Sequence, residues 1–334
     1  MSYLDKLKNN SKSNLQKIAE ASTSAGQNTK RNDDDGVWKY ELNKNGVASA
    51  VLRFLPIPEV DSTDEKALPW VSVTSFAFKE PETGLWYIEK SLRTIGKEDP
   101  VQNEQNRLYT LGQNGDKEAE EANKRRRRKV QYYSNVYVVE DPANPENEGK
   151  VFLFRYGKKI FDKLMSLINV DESLGETPVD PFNLMEGVNF RLKVKKVDGY
   201  PNYDASSFSD PVAISNKAGK PLTDDQIEEV LGSMTSLLAF LDEKNFKSFE
   251  ELQKRFDKVR GMEDEGIMSS PKDRLEKNKR KVEEDEDDDD DDLPPFDTDK
   301  KTTSTPSKGR DVEDEDSDDD DLDFESLLDS FNEK

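Results

Sequence analysis

The sequence predicts a mainly β body that carries several helices, an α+β fold, followed by a long acidic tail. Three observations support this prediction. Between residues 37 and 200, short runs of β-branched and aromatic residues alternate with Gly, Pro and Asn. Two helix-start signals follow near the end of the body. Charged residues make up 37% of the 334 residues and hydrophobic ones only 32%, so the apolar residues are too few to pack the whole chain.

Residues 1–36 are predicted to form a basic arm and a linker. Leu4 and Leu7 recur at the spacing of one helical face. Lys6, Lys8, Lys12 and Lys17 outnumber Asp5 here, and the first three are the candidate arm residues. Residues 21–36 are small and polar, as is typical of linkers. A mobile basic arm and a frayed terminus are both compatible with this pattern.

The body is predicted to span residues 37–260. Its predicted strands are residues 37–42, 48–55, 70–78, 85–89, 130–140, 150–156 and 188–197. In the last of these, apolar and basic residues alternate, which predicts one buried and one cationic face. A helix is predicted at residues 158–169. Capping boxes at Thr223 and Ser248 predict two more helices, the first running to about Leu241.

The residue types exclude several kinds of chemistry. There is no cysteine and no histidine, which excludes disulfides, thiolate or imidazole metal ligands, and every triad built on an imidazole base. No phosphate-binding glycine-rich loop is present. We therefore expect no enzyme, no cofactor and no metal. No apolar run approaches the roughly 20 residues of a membrane span, so we expect a soluble intracellular protein without a membrane partner.

The net charge of −22 is concentrated in the tail, because residues 283–334 contain 25 acidic and 5 basic residues. The cations of the body form three clusters. These are Arg125–Lys129; Lys150, Arg155, Lys158, Lys159 and Lys163; and Arg191, Lys193, Lys195 and Lys196. An acidic tail on such a body suggests a polyanion-binding protein that carries its own competitor. A tail that only maintains solubility is the alternative.

Residues 261–334 are predicted to be disordered, because they contain too few apolar residues to offset chain entropy. Their last part differs from the rest. Large apolar residues interrupt the acidic sequence at Leu322, Phe324, Leu327, Leu328 and Phe331. This pattern favours an amphipathic helix that forms in a partner's groove. The alternative is a marginal helix without a partner.

Cations beside aromatic residues favour binding of single-stranded nucleic acid, because its backbone attracts positive charge and its unstacked bases need flat rings. The cluster Arg125–Lys129 directly precedes Tyr132 and Tyr133, and the strand at 188–197 leads to Tyr200 and Tyr203. Short strands with such residues suit a small barrel of the OB type. An acidic chaperone or DNA mimic is the alternative class, but it leaves the arginine run unexplained.

Several stretches resemble one known family. They are RRRRKVQYYSNVYVVEDPANPENEGKVFLFRYGKKIFDKL (125–164), AVLRFLP (50–56), LWYIE (85–89), GETPVD (175–180), KVDGYPNYD (196–204) and FKSFEEL (246–252). In this order they closely resemble the T4-type phage single-stranded DNA-binding, helix-destabilising proteins. The resemblance covers about residues 37–260. The basic arm and the acidic tail also match the family's layout.

The resemblance implies an OB-fold barrel with a small accessory subdomain and C-terminal helices, and a basic cleft that holds single-stranded DNA. The DNA-binding residues that it implies are Arg53, Tyr109, Arg125, Arg126, Arg127, Arg128, Lys129, Tyr132, Tyr133, Phe154, Arg155, Tyr200 and Tyr203. The implied function is cooperative, sequence-nonspecific coating and protection of single-stranded DNA in phage DNA replication, recombination and repair, in the cytoplasm of the host cell at replication sites.

The resemblance also implies roles for the two ends of the chain. The N-terminal arm is implied in contacts between neighbouring copies along DNA. The acidic tail is implied in docking phage replication and recombination proteins, including polymerase, helicase loader and recombinase mediator. Together with the charge pattern, this gives a tail that both inhibits the body and recruits partners.

Two departures from the family pattern concern the accessory subdomain. Members of the family often hold zinc with one His and three Cys just after the WYIE strand, but residues 91–105 contain neither residue type. Zinc is therefore not expected, and the subdomain must fold by packing alone or be looser. Residues 112–124 look like an insertion ahead of the basic run, which leaves the position of Tyr109 in the cleft open.

Overall fold

The computed structural model describes residues 3–9, 36–171, 173, 175–197 and 200–262. The strands are Val37–Trp38 (β1), Val47–Phe54 (β2), Val71–Lys79 (β3), Trp86–Lys90 (β4), Arg128–Glu140 (β5), Val151–Tyr156 (β6), Asn189–Val197 (β7), Tyr200–Asn202 (β8) and Ser207–Phe208 (β9). The α-helices are Tyr3–Asn9 (α1), Pro100–Gln113 (α2), Lys117–Arg125 (α3), Lys158–Ser166 (α4), Asp224–Gly232 (α5) and Phe249–Val259 (α6). The predicted combination of strands and helices is confirmed as one large sheet with several helices.

The longest strand, β5, organises the sheet. Its 13 residues pair antiparallel with β3 near the start, with β6 in the middle and with β2 near the end. The strand order β1-β6-β5-β2-β7-β8 follows, with β3 joining β5 to β4 and β9 paired to β7. β1 runs parallel to β6, whereas the other paired strands are antiparallel. Most of the sheet is therefore tied directly or through one neighbour to β5.

The main core lies on one face of this sheet. The predicted alternation in β7 is confirmed, because Phe190, Leu192 and Val194 are buried in that core while the residues between them are exposed. Helix α4 closes the same core with Phe161 and Leu164. Fully burying a side chain of this size stabilises the fold by about 1.5–3 kcal/mol. The alternating sequence of β7 thus determines which of its faces meets solvent.

Two helices, α2 and α3, lie in a polar segment for which the sequence predicts no helix. The segment at 112–124, interpreted as an insertion, forms the turn between them and most of α3. The carboxylate of Asp99 connects the loop after β4 to the first turn of α2 by hydrogen bonds. It accepts hydrogen bonds from Ser91 Oγ and from the backbone N–H groups of Leu92, Val101 and Gln102, at 2.9–3.0 Å. This buried residue caps α2 and closes the loop after β4.

Both predicted capping boxes are confirmed, at Thr223 before α5 and at Ser248 before α6. The expected length of the first helix is wrong, because α5 ends at Gly232 instead of continuing to about Leu241. The reason is that the carboxylate of Asp61 accepts the backbone N–H of Leu237 at 2.7 Å. The following turn, Leu238–Leu241, is a 3-10 helix. A tertiary hydrogen bond thus replaces one that a continued α-helix would make.

Helix α1 docks onto the outer side of the sheet. Leu4 is buried in a cluster with Tyr137 of β5 and Ile227 of α5. The Tyr3 hydroxyl donates a hydrogen bond to the Ile57 carbonyl at 2.6 Å. The predicted apolar face at the start of the chain therefore contacts the body. Within the described ranges, none of the helices has the length and apolar character that a membrane crossing requires.

Arg53, at the end of β2, is fully buried and fixes two loops. Its guanidinium donates hydrogen bonds to the carbonyl oxygens of Asn183 and Val212 at 2.7 and 2.8 Å. Gly187 packs so closely that an added Cβ would lie 2.9 Å from Arg53 Nη2. Burial lowers the pKa of Arg53 to about 10 and raises that of the nearby Asp180 carboxyl to about 6. Arg53 therefore remains charged, while Asp180 titrates in the weakly acidic range.

The raised pKa of Asp180 predicts a pH-dependent stability difference. The ordinary value is 3.8, so the folded protein holds a proton that the unfolded chain releases between about pH 4 and about pH 6. The contribution of Asp180 to stability is complete below this window and is lost as the pH rises through 6. Asp180→Asn removes this titration. As the pH rises across this window, the unfolding free energy of the variant minus that of the wild type should increase by up to about 3 kcal/mol. Denaturant unfolding at several pH values measures this gain, and parallel pH profiles would contradict it.

Candidate nucleic-acid interface

The basic run 125–129 does not form one continuous exposed patch. Helix α3 ends at Arg125, and β5 begins at Arg128. Both of these arginines are exposed, Arg127 and Lys129 are half-buried, and Arg126 is buried. The change from helix to strand within five residues turns consecutive side chains in different directions. The run is therefore divided between the surface and the interior.

Arg126 lies in an internal ion-pair cluster. Its Nη2 and Nε donate to Glu80 Oε2 at 2.7 and 3.2 Å, and its Nη1 is 3.8 Å from Glu104 Oε1. The guanidinium carbon also lies 5.8 Å from the ring centroid of Phe78 and 5.6 Å from that of Phe256. These contacts join β3, α2 and α6. They favour a structural role for Arg126 and leave it little surface for a ligand.

The consecutive tyrosines of β5 lie on opposite faces of the strand. Tyr132 is half-buried and stacks on Phe161 of α4, with ring centroids 3.9 Å apart. Burial raises its pKa to about 12, so the hydroxyl stays protonated. Tyr133 is only 3% exposed and stacks on Phe240 with centroids 4.6 Å apart. Tyr132 thus borders the surface, whereas Tyr133 belongs to the interior.

Several cations meet where β5 begins. Because β5 and β6 are antiparallel and Tyr132 lies opposite Tyr156, the segment after β6 returns to the start of β5. That segment is the first turn of α4, where Lys158 and Lys159 are exposed. Further along α4, Lys163 Nζ donates to the Asp204 carbonyl oxygen at 3.4 Å. We call this surface the basic strip. It comprises Arg125, Arg127, Arg128, Tyr132, Lys158, Lys159 and Lys163, whereas Lys129 lies on the same face of β5 as Tyr133.

The remaining predicted site residues lie in different environments. Tyr109 on α2 and Tyr200 at the start of β8 are 58% and 43% exposed. Arg155 is half-buried. Phe154 and Tyr203 are buried in the main core, where the Tyr203 and Tyr40 hydroxyls are 2.9 Å apart. Arg53 is buried as described above. Tyr109, Tyr200 and Arg155 can contact a ligand where they stand, while Phe154, Tyr203 and Arg53 support the fold.

Some predictions fall outside the described residues. These concern the side chains of Lys6 and Lys8, and residues Lys12, Leu322, Phe324, Leu327, Leu328 and Phe331. Conversely, Lys158, Lys159 and Lys163 are absent from the predicted site list although the structure brings them beside Tyr132. Their sequence signal was the basic cluster at the start of a helix that directly follows a strand. In the described part of the chain, no group of three or more acidic residues is arranged to hold a metal ion.

Comparisons with known proteins agree with a nucleic-acid interface. A family model described as "gp32 DNA binding protein like" matches residues 44–260. The chain is 38% identical over 262 residues to the single-stranded DNA-binding protein of Enterobacteria phage T4. The aligned residues cover 75% of this chain and 78% of the T4 protein. It is 40% identical over 241 residues to the protein of the same name from Enterobacteria phage T2, covering 69% and 71%.

The neighbouring arginines 126 and 128 should respond differently to substitution. Arg126→Met leaves Glu80 buried without its partner, and breaking a buried pair costs about 3–5 kcal/mol of unfolding free energy. Arg128→Gln removes an exposed charge, so stability should change by less than about 0.5 kcal/mol. Denaturant unfolding measures both effects. A double variant, Arg126→Met with Glu80→Gln, should recover part of the loss. Equal stabilities of the two single variants would refute the assignment.

Proposed function

The chain belongs to the gp32-like family of DNA-binding proteins, and from this premise we propose that it binds single-stranded DNA without reading base sequence. In this role it coats and protects unpaired DNA within the host cell during phage DNA replication, recombination and repair. The family is one of DNA-binding proteins and not of enzymes. The observation that carries the proposal is that α4, which bears Lys158, Lys159 and Lys163, packs its Phe161 on the half-buried ring of Tyr132, four residues after Arg128 on β5.

The basic strip supplies what an unpaired strand requires. Its arginines and lysines neutralise phosphates, and Arg128 forms no ion pair with any residue in the described ranges. Tyr132 within the strip, and Tyr109 and Tyr200 outside it, offer rings on which bases stack, which is sequence-tolerant because every base has a flat face. Arg side chains can also lie flat on bases, which the ammonium group of lysine does less well. Because the cations bind phosphates and the rings stack on any base, the protein can bind single-stranded DNA without recognising its base sequence.

We also assign the body to the OB type. The strands β2, β5 and β6 are joined by antiparallel pairing, α4 connects β6 to β7, and β7 returns beside β2. This succession of four strands and one helix supports a barrel of the OB kind. The elements β3, β4, α2, α3 and α6 then form the accessory subdomain. In this division residues 1–36 are the arm, 37–260 the DNA-binding core and 261–334 the tail.

The two ends of the chain complete the proposal. The N-terminal arm contacts the neighbouring copy on the same strand and makes binding cooperative. The tail, which includes residues 283–334 with their 25 acidic residues, competes with DNA for the basic strip and recruits replication and recombination proteins. The support for this second role is the charge pattern, because a tethered polyanion is held at high effective concentration near the cations.

A titration that compares single-stranded and duplex DNA tests the central proposal. The full-length protein is added to a labelled oligonucleotide or to its duplex at several salt concentrations. We expect preferential binding of the single strand, with log affinity falling against log salt by about 0.7 for each phosphate neutralised. Binding that is independent of salt, or no preference for the single strand, would refute the proposal.

Removal of the tail tests its competition with DNA. Truncation after Val282 should raise the affinity for single-stranded DNA most at low salt, because charges there are least screened. At high salt the truncated and full-length proteins should bind nearly equally. The measurement is the same titration carried out with both proteins. A chain whose tail serves as a DNA mimic would behave differently, since its truncation would abolish binding to basic proteins and leave DNA affinity unchanged.

A further inference from the structure

A row of cations lies on the outer face of β7, away from the main core. Arg191, Lys193 and Lys195 occupy alternate positions and are exposed, whereas Phe190, Leu192 and Val194 point into the core. We call Arg191, Lys193 and Lys195 the outer β7 row. Alternate residues of a strand are roughly 6.7 Å apart. This spacing is comparable to that of successive phosphates in an extended single strand.

The fold does not neutralise the outer β7 row. In the described part of the chain, none of its three cations forms an ion pair with a carboxylate. The residues directly opposite on β2 are Val51, Ser49 and Val47. The nearest acidic residue by register is Glu140 on β5, opposite Val51, and it lies 3.8 Å from Lys217. Three like charges on one face repel one another, so this row lowers the stability of the sheet.

Protection of a sheet edge does not explain the row. Lysines on edge strands prevent edge-to-edge aggregation, but β7 is an interior strand. It pairs with β2 over residues 189–195 on one side. On the other side it pairs with β8 near its end and with β9 near its start. An uncompensated cationic row on an interior strand therefore indicates a ligand.

The surroundings of the row favour a nucleic acid as this ligand. Tyr200 lies directly opposite Val197 and hence on the same face as Lys195. Its ring is 43% exposed, so it offers a stacking surface at one end of the row. The flanking residues Ser49, Ser207 and Asn202 are small or short and polar, which leaves the face open to a chain of phosphates. An acidic segment of protein would satisfy the charges but would leave the exposed ring without a partner.

We propose that the outer β7 row is a second contact surface for single-stranded DNA, distinct from the basic strip. Arg191, Lys193 and Lys195 neutralise successive phosphates, and Tyr200 stacks on a base where the strand crosses the β7–β8 turn. The hydrogen bond from Lys163 to the Asp204 carbonyl joins the end of the basic strip to the residues that follow β8. The row therefore continues the strip around the turn. This inference rests on the proposed function. It adds that strands long enough to extend beyond the basic strip also contact the outer β7 row.

The test neutralises the row in the full-length protein. The triple variant Arg191→Gln, Lys193→Gln, Lys195→Gln is titrated with labelled oligothymidylates of about 5 and about 16 nucleotides, which bracket the site sizes of OB folds. We expect unchanged affinity for the short oligonucleotide and weaker binding of the long one. For the long one, the slope of log affinity against log salt should fall by about 2, which is three contacts at about 0.7 each.

Two further variants control this experiment. Lys66→Gln, Lys220→Gln, Lys254→Gln makes the same change in net charge at three exposed lysines outside both surfaces, and it should bind both oligonucleotides like the wild type. Tyr200→Ala should weaken binding of the long oligonucleotide by about fivefold to 150-fold without changing the salt slope, because stacking contributes about 1–3 kcal/mol per base. Thermal unfolding confirms that each variant is folded.

Each other outcome has its own meaning. Equal loss for both oligonucleotides would place the row in the primary site and overturn the proposal of a second surface. Unchanged binding at both lengths would overturn it as well. An increase in affinity would show that the row holds an acidic segment of the same chain instead of DNA. If the wild type binds neither oligonucleotide, it is the proposed function that fails.

Discussion

The alternation of side chains along β5 decides which rings and cations of this protein can meet a ligand. The strand pairs with three others, so nearly every one of its residues has a partner in register. A shift by one residue would exchange its two faces and bring Tyr133 to the position of Tyr132. Val136 and Val138, which lie on the same face as Tyr132, prevent this shift because they are completely buried in the main core. The core therefore positions the basic strip, although it contributes no charge to it.

Buried and exposed cations in this protein have separate roles. Arg53 and Arg126 are enclosed by oxygen atoms and hold loops or helices together. Burying them is tolerable because each guanidinium makes several hydrogen bonds, although Arg53 Nε makes none within the described part of the chain, and removing a partner leaves a desolvated charge. Arg128 and the outer β7 row lack such partners among the described residues. In the proposed complex, the phosphates of DNA relieve the repulsion between these cations, so the same charges that destabilise the free protein strengthen binding.

The sequence predicts the strands and caps better than the roles of individual arginines. Alternation in β7 and the capping boxes at Thr223 and Ser248 are local patterns, and the structure contains them as predicted. Apolar periodicity does not predict α2 and α3, because their residues are mostly polar; the local signal for α2 is Asp99 followed by Pro100, which form its N-cap and first turn. Burial of Arg126 depends on Glu80, which is 46 residues distant. No local pattern distinguishes such an arginine from its exposed neighbours in a run of four.

The nearly neutral body has a consequence for how it attracts a polyanion. With 45 basic and 47 acidic residues, the part of the chain before position 283, which includes the body, generates little attraction at long range. Surface charges are screened beyond about 10 Å at 0.1 M salt. Attraction must therefore come from local clusters in direct contact with phosphates. In the proposed competition, the acidic residues that follow act on the same short scale, because they are tethered to the same chain. In that proposal, a modest change in salt alters two competing interactions at once. In this proposal the rings favour DNA over the acidic run at 283–292, since Tyr132 and Tyr200 can stack on bases and that run offers no flat ring.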